Sequence, residues 1–151
     1  MDETTQFELK RILNKFQDKA NKESEEYEKR DQEAQRYKRE FPRVVHDIIR
    51  PTMEEIGTYI KGLGHKYEIK EYVRTNDQDD LAIRMEIVPP SILQLSSEAP
   101  RITFSIFIDS VMMERRPYAS EDKLRIEDIT KKLVEKNILE VMEACEKKTF
   151  K

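Results

Sequence analysis

The chain has 151 residues, of which 37% are hydrophobic and 39% are charged, and its formal net charge is -3. This length corresponds to one ordinary domain, or to one domain with an appendage. Because acids and bases are interleaved, no basic field favours nucleic acid or an anionic membrane as a partner. No segment approaches the about 20 apolar residues that span a bilayer, so the sequence predicts a cytoplasmic protein.

The N-terminal quarter of the chain predicts a long charged helix. Residues 3–40 are rich in Glu, Lys, Gln, Arg and Ala and contain no proline or glycine, which favours helix on propensity alone. A seven-residue spacing runs through Leu13, Ala20, Tyr27, Ala34 and Phe41, with Phe16 and Tyr37 at companion positions. This spacing is typical of a coiled coil. Its centre is weak because Glu23 and Arg30 occupy companion positions, so two alternatives remain: a continuous helix, or a hairpin broken near residues 21–24.

Residues 41–64 predict a core helix. On a helical projection at about 100° per residue, nine residues lie on one broad apolar stripe. They are Val45, Ile48, Ile49, Thr52, Met53, Ile56, Tyr59, Ile60 and Leu63. Pro42 is expected to end the preceding helix or to turn it into the next. Pro51 favours either a bend in one helix or two short helices meeting at Arg50 and Pro51. Gly62 and Gly64 supply the left-handed stop.

After Gly64 the apolar period changes to two, which indicates strands. Two antiparallel strands are expected at 67–73 and 81–88, a third at 102–108 and a weaker fourth at 111–116, followed by a loop over 117–123. Helical periodicity returns over 126–148, with Asp128 as N-cap. The predicted fold is therefore an α+β two-layer domain, with an antiparallel three- to four-stranded sheet packed on two helices (41–151), preceded by the charged helix (1–40).

The sequence offers little catalytic chemistry. The acidic cluster within residues 76–80 lacks the glycine and the distal glutamate of a calcium-binding loop, and two histidines with one cysteine are too few for a zinc site. The glycines follow a helix instead of preceding one, which disfavours a phosphate-binding loop. Cys145, on an apolar helix face, is expected to be a buried hydrophobe. Neither a cofactor nor a metal is predicted, and an enzyme ranks below two binding hypotheses.

The first hypothesis is a non-enzymatic, self-associating interaction module that uses the N-terminal helix or the outer sheet face. The alternative is a small-molecule or peptide-binding domain that uses the outer sheet face and residues 89–100. Arg115 and Arg116 are candidates either for a phosphate contact or for edge protection of the sheet. The candidate interaction residues are Phe7, Leu13, Phe16, Tyr27, Tyr37, Tyr72, Phe107, Arg115 and Arg116.

The length of the predicted N-terminal helix favours a homodimer. A helix over residues 4–40 would be about 55 Å long, whereas the remaining residues form a body about 35 Å across. The helix would then leave Phe7, Leu9, Ile12, Leu13 and Phe16 in water. A second copy is the simplest cover for this cluster.

Overall fold

A computed structural model describes residues 1–74, 81–88, 99–116 and 120–149 of the chain. Its elements are α1 (Glu3–Val44), a π-helical segment (Val45–Ile49), α2 (Arg50–Gly62), β1 (Lys66–Val73), β2 (Leu81–Val88), β3 (Arg101–Phe107), β4 (Ser110–Arg116), β5 (Ser120–Leu124), a 3-10 turn (Ile126–Asp128) and α3 (Lys131–Thr149). The chain divides into two compact units, Met1–Gln35 and Arg36–Lys151. The acidic cluster within 76–80 and most of the 89–100 stretch lie outside the described residues.

The first compact unit consists of most of α1. The helix starts where the Thr5 N–H donates to Asp2 Oδ1 at 2.7 Å, and this backbone hydrogen bond lowers the pKa of the Asp2 carboxyl. An N-terminal carboxylate also interacts favourably with the helix dipole. The helix runs without interruption through residues 21–24. Of the two alternatives left by the sequence, the structure therefore shows the continuous helix.

Of the two alternatives at Pro42, the structure shows the helical stretch continuing into the next helix, and a π-helical segment precedes Pro51. Helix α1 includes Pro42 and ends at Val44. The π-helical segment follows, and in its wider turn the Arg50 N–H donates to the carbonyl oxygen of Val45. Pro51 comes next, near the start of α2. Proline cannot donate to the preceding turn and its ring clashes there, so the wider turn accommodates it within one helical stretch.

The π-helical segment also changes the phase of the residues that follow it. Buried residues along this stretch recur every four positions, at Tyr37, Phe41, Val45, Ile49, Met53 and Gly57. In an uninterrupted α-helix, each such step would drift by about 40°. A wider turn cancels part of that drift and rotates all later residues relative to a regular projection. Tyr59 and Leu63, expected on the core stripe, are consequently exposed.

The predicted left-handed helix stop is confirmed at Gly64, whereas Gly62 lies within α2. Gly64 has a φ of 92°, a left-handed conformation that glycine adopts without steric cost. The His65 N–H donates to the Ile60 carbonyl oxygen at 3.0 Å, and the Gly64 N–H donates to that of Lys61 at 3.0 Å. This pair of bonds is a Schellman motif, which satisfies carbonyl groups at the end of α2.

The α+β class and the long N-terminal helix are confirmed, but the described residues contain five strands instead of three or four. The strands lie in the order β1-β2-β3-β4-β5, and each pair of neighbours is antiparallel. The additional strand, β5, occupies part of the segment expected to be a loop and pairs Asp122 with Met113. Its exposed, charged residues suit the edge of a sheet, where they discourage pairing with other chains.

The core lies between the inner sheet face and the helices. Fully buried side chains include Phe41, Ile49, Met53, Ile83, Met85, Phe104, Val134 and Ile138. The layer on the sheet is therefore formed by the end of α1, the π-helical segment, α2 and α3, which corrects the expected packing on two separate helices. Helix α3 begins at Lys131, and its cap is Thr130, whose Oγ1 accepts the Leu133 N–H at 3.2 Å, instead of Asp128. Cys145 is buried, as predicted.

Candidate functional site

An exposed apolar stripe lies on α1 within the first compact unit. Leu9, Ile12, Leu13 and Phe16 have exposed fractions of 44%, 38%, 60% and 64%. Their spacing of three, four and seven residues places them on one face of the helix, and these four residues are named the α1 stripe here. Phe7 is 67% exposed but lies nine residues before Phe16, which is about half a turn away in phase. It therefore faces away from the stripe.

Basic side chains flank the α1 stripe. Lys10 lies on one side of it, while Lys15 and Lys19 lie on the other by helical phase. The acidic neighbour Glu8 forms an ion pair with Arg11, with Oε2 and Nη2 2.7 Å apart. Lysine side chains therefore flank the stripe on both sides between residues 10 and 19.

Two further predicted interaction residues on α1 have different surroundings. Tyr27 is 73% exposed and lies in the first unit. Tyr37 is buried in the second unit, where its Oη accepts the N–H of Ile126 at 3.2 Å. The Arg36 guanidinium lies 5.1 Å from the Tyr37 ring centroid. Tyr37 therefore belongs to the domain core in this chain, although the seven-residue spacing had grouped it with the exposed seam.

The outer sheet face brings Tyr72 and Phe107 onto one side, as the alternation predicted. Tyr72 is half-buried, and its Oη accepts a hydrogen bond from Arg84 Nη2 at 3.2 Å. Arg84 Nε also donates to Thr103 Oγ1 at 3.2 Å, so this part of the face is tied together by its own side chains. Phe107 is 45% exposed, with the Lys123 ammonium 5.4 Å from its ring centroid.

Arg115 and Arg116 lie on opposite faces of β4. Arg115 points to the inner side, and only 12% of its side chain is exposed. Its Nη1 donates to Asn137 Oδ1 at 2.8 Å and to Glu140 Oε2 at 2.7 Å, and its Nη2 donates to Asp122 Oδ2 at 2.9 Å. Arg116, by contrast, is on the outer face, paired in register with Arg101. Arg115 therefore joins β4, β5 and α3, and Asn137 is a buried polar residue that this arginine satisfies.

A concave apolar groove lies between α2 and α3, with a volume of about 660 Å³. Its lining residues are Glu55, Ile56, Thr58, Tyr59, Ile60, Leu63, Glu135, Ile138, Leu139 and Met142. Three of them, Tyr59, Leu63 and Leu139, are large side chains with exposed fractions of 71%, 61% and 59%. Exposed apolar side chains that cluster around a concavity mark an interaction site.

The groove is the site that sequence reasoning missed. A regular projection assigned Tyr59 and Leu63 to the core, and Leu139 was not singled out. The width of the stripe over residues 45–63 could have indicated that some of its residues remain exposed. Nine apolar positions are more than one face of a buried helix needs. At the rim of the groove, Lys131 Nζ lies 2.9 Å from Glu55 Oε2 and 3.9 Å from Glu135 Oε1. The hydrogen bond with Glu55 is the main cause that raises the Lys131 pKa.

The described residues contain neither a cluster of metal-ligating side chains nor a membrane-spanning helix. Over 1–74, 81–88, 99–116 and 120–149, no three His, Cys, Asp or Glu side chains are grouped so as to hold a metal ion. Within the same ranges, no helix combines the length and the apolar character needed to cross a bilayer.

Comparison with protein-family models, with curated proteins and with solved structures gives no match to this chain.

Proposed function

We propose that the protein is a non-enzymatic interaction module that self-associates into a homodimer through its N-terminal helix. The observation that carries this proposal is the α1 stripe, in which four large apolar side chains on one helix face are exposed. Fully burying each such side chain would contribute about 1.5–3 kcal/mol. Contiguous exposed apolar surface of this kind marks a contact with another molecule.

The surroundings of α1 support the same proposal. Every residue from Met1 to Glu33 is exposed, so no apolar face of this length of helix is buried among the described residues. Helices in proteins draw most of their stability from such packing, and propensity alone is marginal in water. A partner that covers the α1 stripe supplies the missing contact. A second copy is the partner available whenever the chain itself is present.

Light scattering on the full-length protein tests the proposal directly. At micromolar concentration the measured mass is expected to be twice the monomer mass of 18.1 kDa. The double variant Leu13→Glu, Phe16→Glu places two charges on the stripe and is expected to give the monomer mass, because burying an unpaired carboxylate is costly. Phe7→Glu, on the opposite side of the helix, is the matched control and should remain dimeric. A wild-type monomer at this concentration would refute self-association.

The outer sheet face is the second candidate for the contact, because Phe107 keeps 45% of its surface exposed there. Its test is Phe107→Ser in the same experiment. If Phe107→Ser becomes monomeric while the stripe variant remains dimeric, the sheet forms the interface instead of α1. If both variants weaken the dimer, the two surfaces share it.

A further inference from the structure

The groove between α2 and α3 is an uncovered concave surface, and the α1 stripe is an uncovered convex one. We infer that the α1 stripe of a second copy docks in this groove, so that each copy receives the N-terminal helix of the other. This inference rests on the proposed self-association and names the surface that receives the helix. It places Tyr59, Leu63 and Leu139, which are all exposed in the chain, in the dimer contact.

Shape favours a helix as the occupant. Two helices packed side by side leave a groove into which the ridge of a third helix fits. Two grooves facing each other across a symmetric interface would enclose a void instead, and protein contacts are close-packed. The α1 stripe, with its spacing of three, four and seven residues, is such a ridge.

The lengths of the two surfaces match. From Leu9 to Phe16 the stripe extends about 10 Å along the helix at about 1.5 Å per residue. The groove walls extend from Glu55 to Leu63, which follows the last residue of α2, and from Glu135 to Met142 on α3. These walls correspond to about 12 Å and about 10 Å. One stripe therefore occupies the whole length of one groove.

The charges are also complementary. The ionisable residues that line the groove are Glu55 and Glu135. Lys131 lies against both carboxylates, so these three side chains together carry one net negative charge. Lys10, Lys15 and Lys19 flank the α1 stripe, so docking brings lysine side chains towards Glu55 and Glu135. Complementary potentials of this kind favour association and fix its orientation.

The alternative is that two α1 helices pair with each other in parallel. Docking in the groove avoids the repulsion between like charges that such pairing would cause. In a parallel coiled coil, Glu23 would face Glu23 of the other copy and Arg30 would face Arg30, because companion positions pair with themselves. Like charges at such positions are destabilising. The groove needs only Leu9–Phe16, which lies outside that charged region.

Point variants in the full-length protein give the first test, with the dissociation constant of the dimer measured by light scattering. Leu139→Glu and Leu13→Glu are each expected to weaken the dimer at least tenfold. The matched controls are Ile108→Glu, at another exposed apolar position, and Phe7→Glu, and both should stay within about threefold of wild type. Circular dichroism melts of the monomeric forms identify any variant that has unfolded.

Mixed disulfide formation gives a second test that does not depend on destabilising variants. Leu13→Cys and Tyr59→Cys, purified separately and mixed under oxidising conditions, are expected to form a linked heterodimer. A mixture of Phe7→Cys and Tyr59→Cys should form at least tenfold less linked heterodimer. Wild-type protein under the same oxidising conditions shows how much linkage arises through Cys145, which is buried.

Three outcomes separate the inference from the proposed function. Rapid linkage of Leu13→Cys to itself, with little linkage to Tyr59→Cys, would show that the α1 helices pair with each other, which overturns groove docking and preserves self-association. An unchanged dissociation constant for Leu139→Glu, with a weakened one for Leu13→Glu, would do the same. A monomeric wild-type protein would overturn both.

Discussion

The aromatic ring of Tyr67 in β1 lies directly against the backbone of Gly57 in α2. A methyl group added at Gly57 would come within 2.4 Å of the Tyr67 Cε2 atom, far inside the normal separation of non-bonded carbon atoms. The missing side chain thus provides the space that the ring fills. Replacing a glycine inside a helix usually stabilises the protein. At Gly57 the opposite effect is expected, because the Tyr67 ring occupies the space that a side chain would need.

Gly57→Ala is expected to lower the free energy of unfolding by about 1 kcal/mol. Alanine in a helix interior normally adds about 0.5–1 kcal/mol relative to glycine, but overpacking against the Tyr67 ring costs about 1–3 kcal/mol. Urea denaturation measures the difference. Gly62→Ala is the matched control, since nothing lies within 4 Å of its added methyl group, and it should be neutral or stabilising. Stabilisation by both substitutions would show that the ring moves away at little cost.

Tyr37→Phe is expected to destabilise the fold by about 1–3 kcal/mol, because it leaves the buried N–H of Ile126 without its acceptor. The bond concerned spans 3.2 Å between Tyr37 Oη and the Ile126 nitrogen. Tyr27→Phe, at an exposed position of the same helix, should change stability by about 0.5 kcal/mol or less. Equal effects of the two substitutions in thermal denaturation would contradict a structural role for the Tyr37 hydroxyl.

Arg115→Ala is expected to cost about 2–4 kcal/mol, because it leaves the buried Asn137 Oδ1 without its donor and removes the Arg115 ion pair from Glu140. Arg116→Ala removes the same charge from the outer face of the same strand and should cost about 0.5 kcal/mol or less. Chemical denaturation of both variants makes the comparison. If Arg116→Ala were the more damaging of the two, the assignment of Arg115 to the structural network would be wrong.

Stability should fall in acid partly through Glu127. A bond from its own backbone N–H, and next the Arg36 guanidinium, lower the pKa of this carboxyl. Because the folded pKa is below the unfolded value of about 4.3, the ionised group stabilises the fold above that pH, and this contribution is lost as the pH falls through the folded pKa. Glu127→Gln should therefore be less stable than wild type at pH 7, and the difference should shrink at pH 3. A difference that does not vary with pH would contradict the contact.

Ile108→Gly is expected to stabilise the β3-β4 hairpin by about 1 kcal/mol. Ile108 has a φ of 56°, and a left-handed conformation costs a residue with a Cβ about 1–2 kcal/mol, whereas glycine adopts it freely. The isoleucine side chain is exposed, so little packing is lost. The neighbouring substitution Asp109→Gly is the control and should be neutral or destabilising. Thermal denaturation that ranks the two variants in the opposite order would contradict the strain.

The elements that the sequence determined are those set by local periodicity and by special residues. The Ala-, Glu- and Lys-rich composition of residues 3–40 predicted a helix that the structure shows as part of α1. Alternation of apolar residues located β1 to β4, and for β1 to β3 it also assigned the correct faces. Gly64 predicted the end of α2, since only its left-handed backbone allows the Schellman bonds.

Tertiary contacts decided the remaining features. The π-helical segment before Pro51 rotated Tyr59 and Leu63 away from the core, a phase change that no regular projection contains. The strand β5 depends on pairing with β4, and its charged residues carry no periodic signal of their own.

The surroundings of Arg115 and Gly57 also arise only from the fold. Arg115 became structural because folding brought Asn137 and Glu140, which lie far along the chain, within hydrogen-bond distance. The same holds for Gly57, whose small size matters only because the Tyr67 ring packs on it. Local propensity acts over a few residues, whereas these contacts join residues that are distant in sequence and meet only when the hydrophobic core assembles.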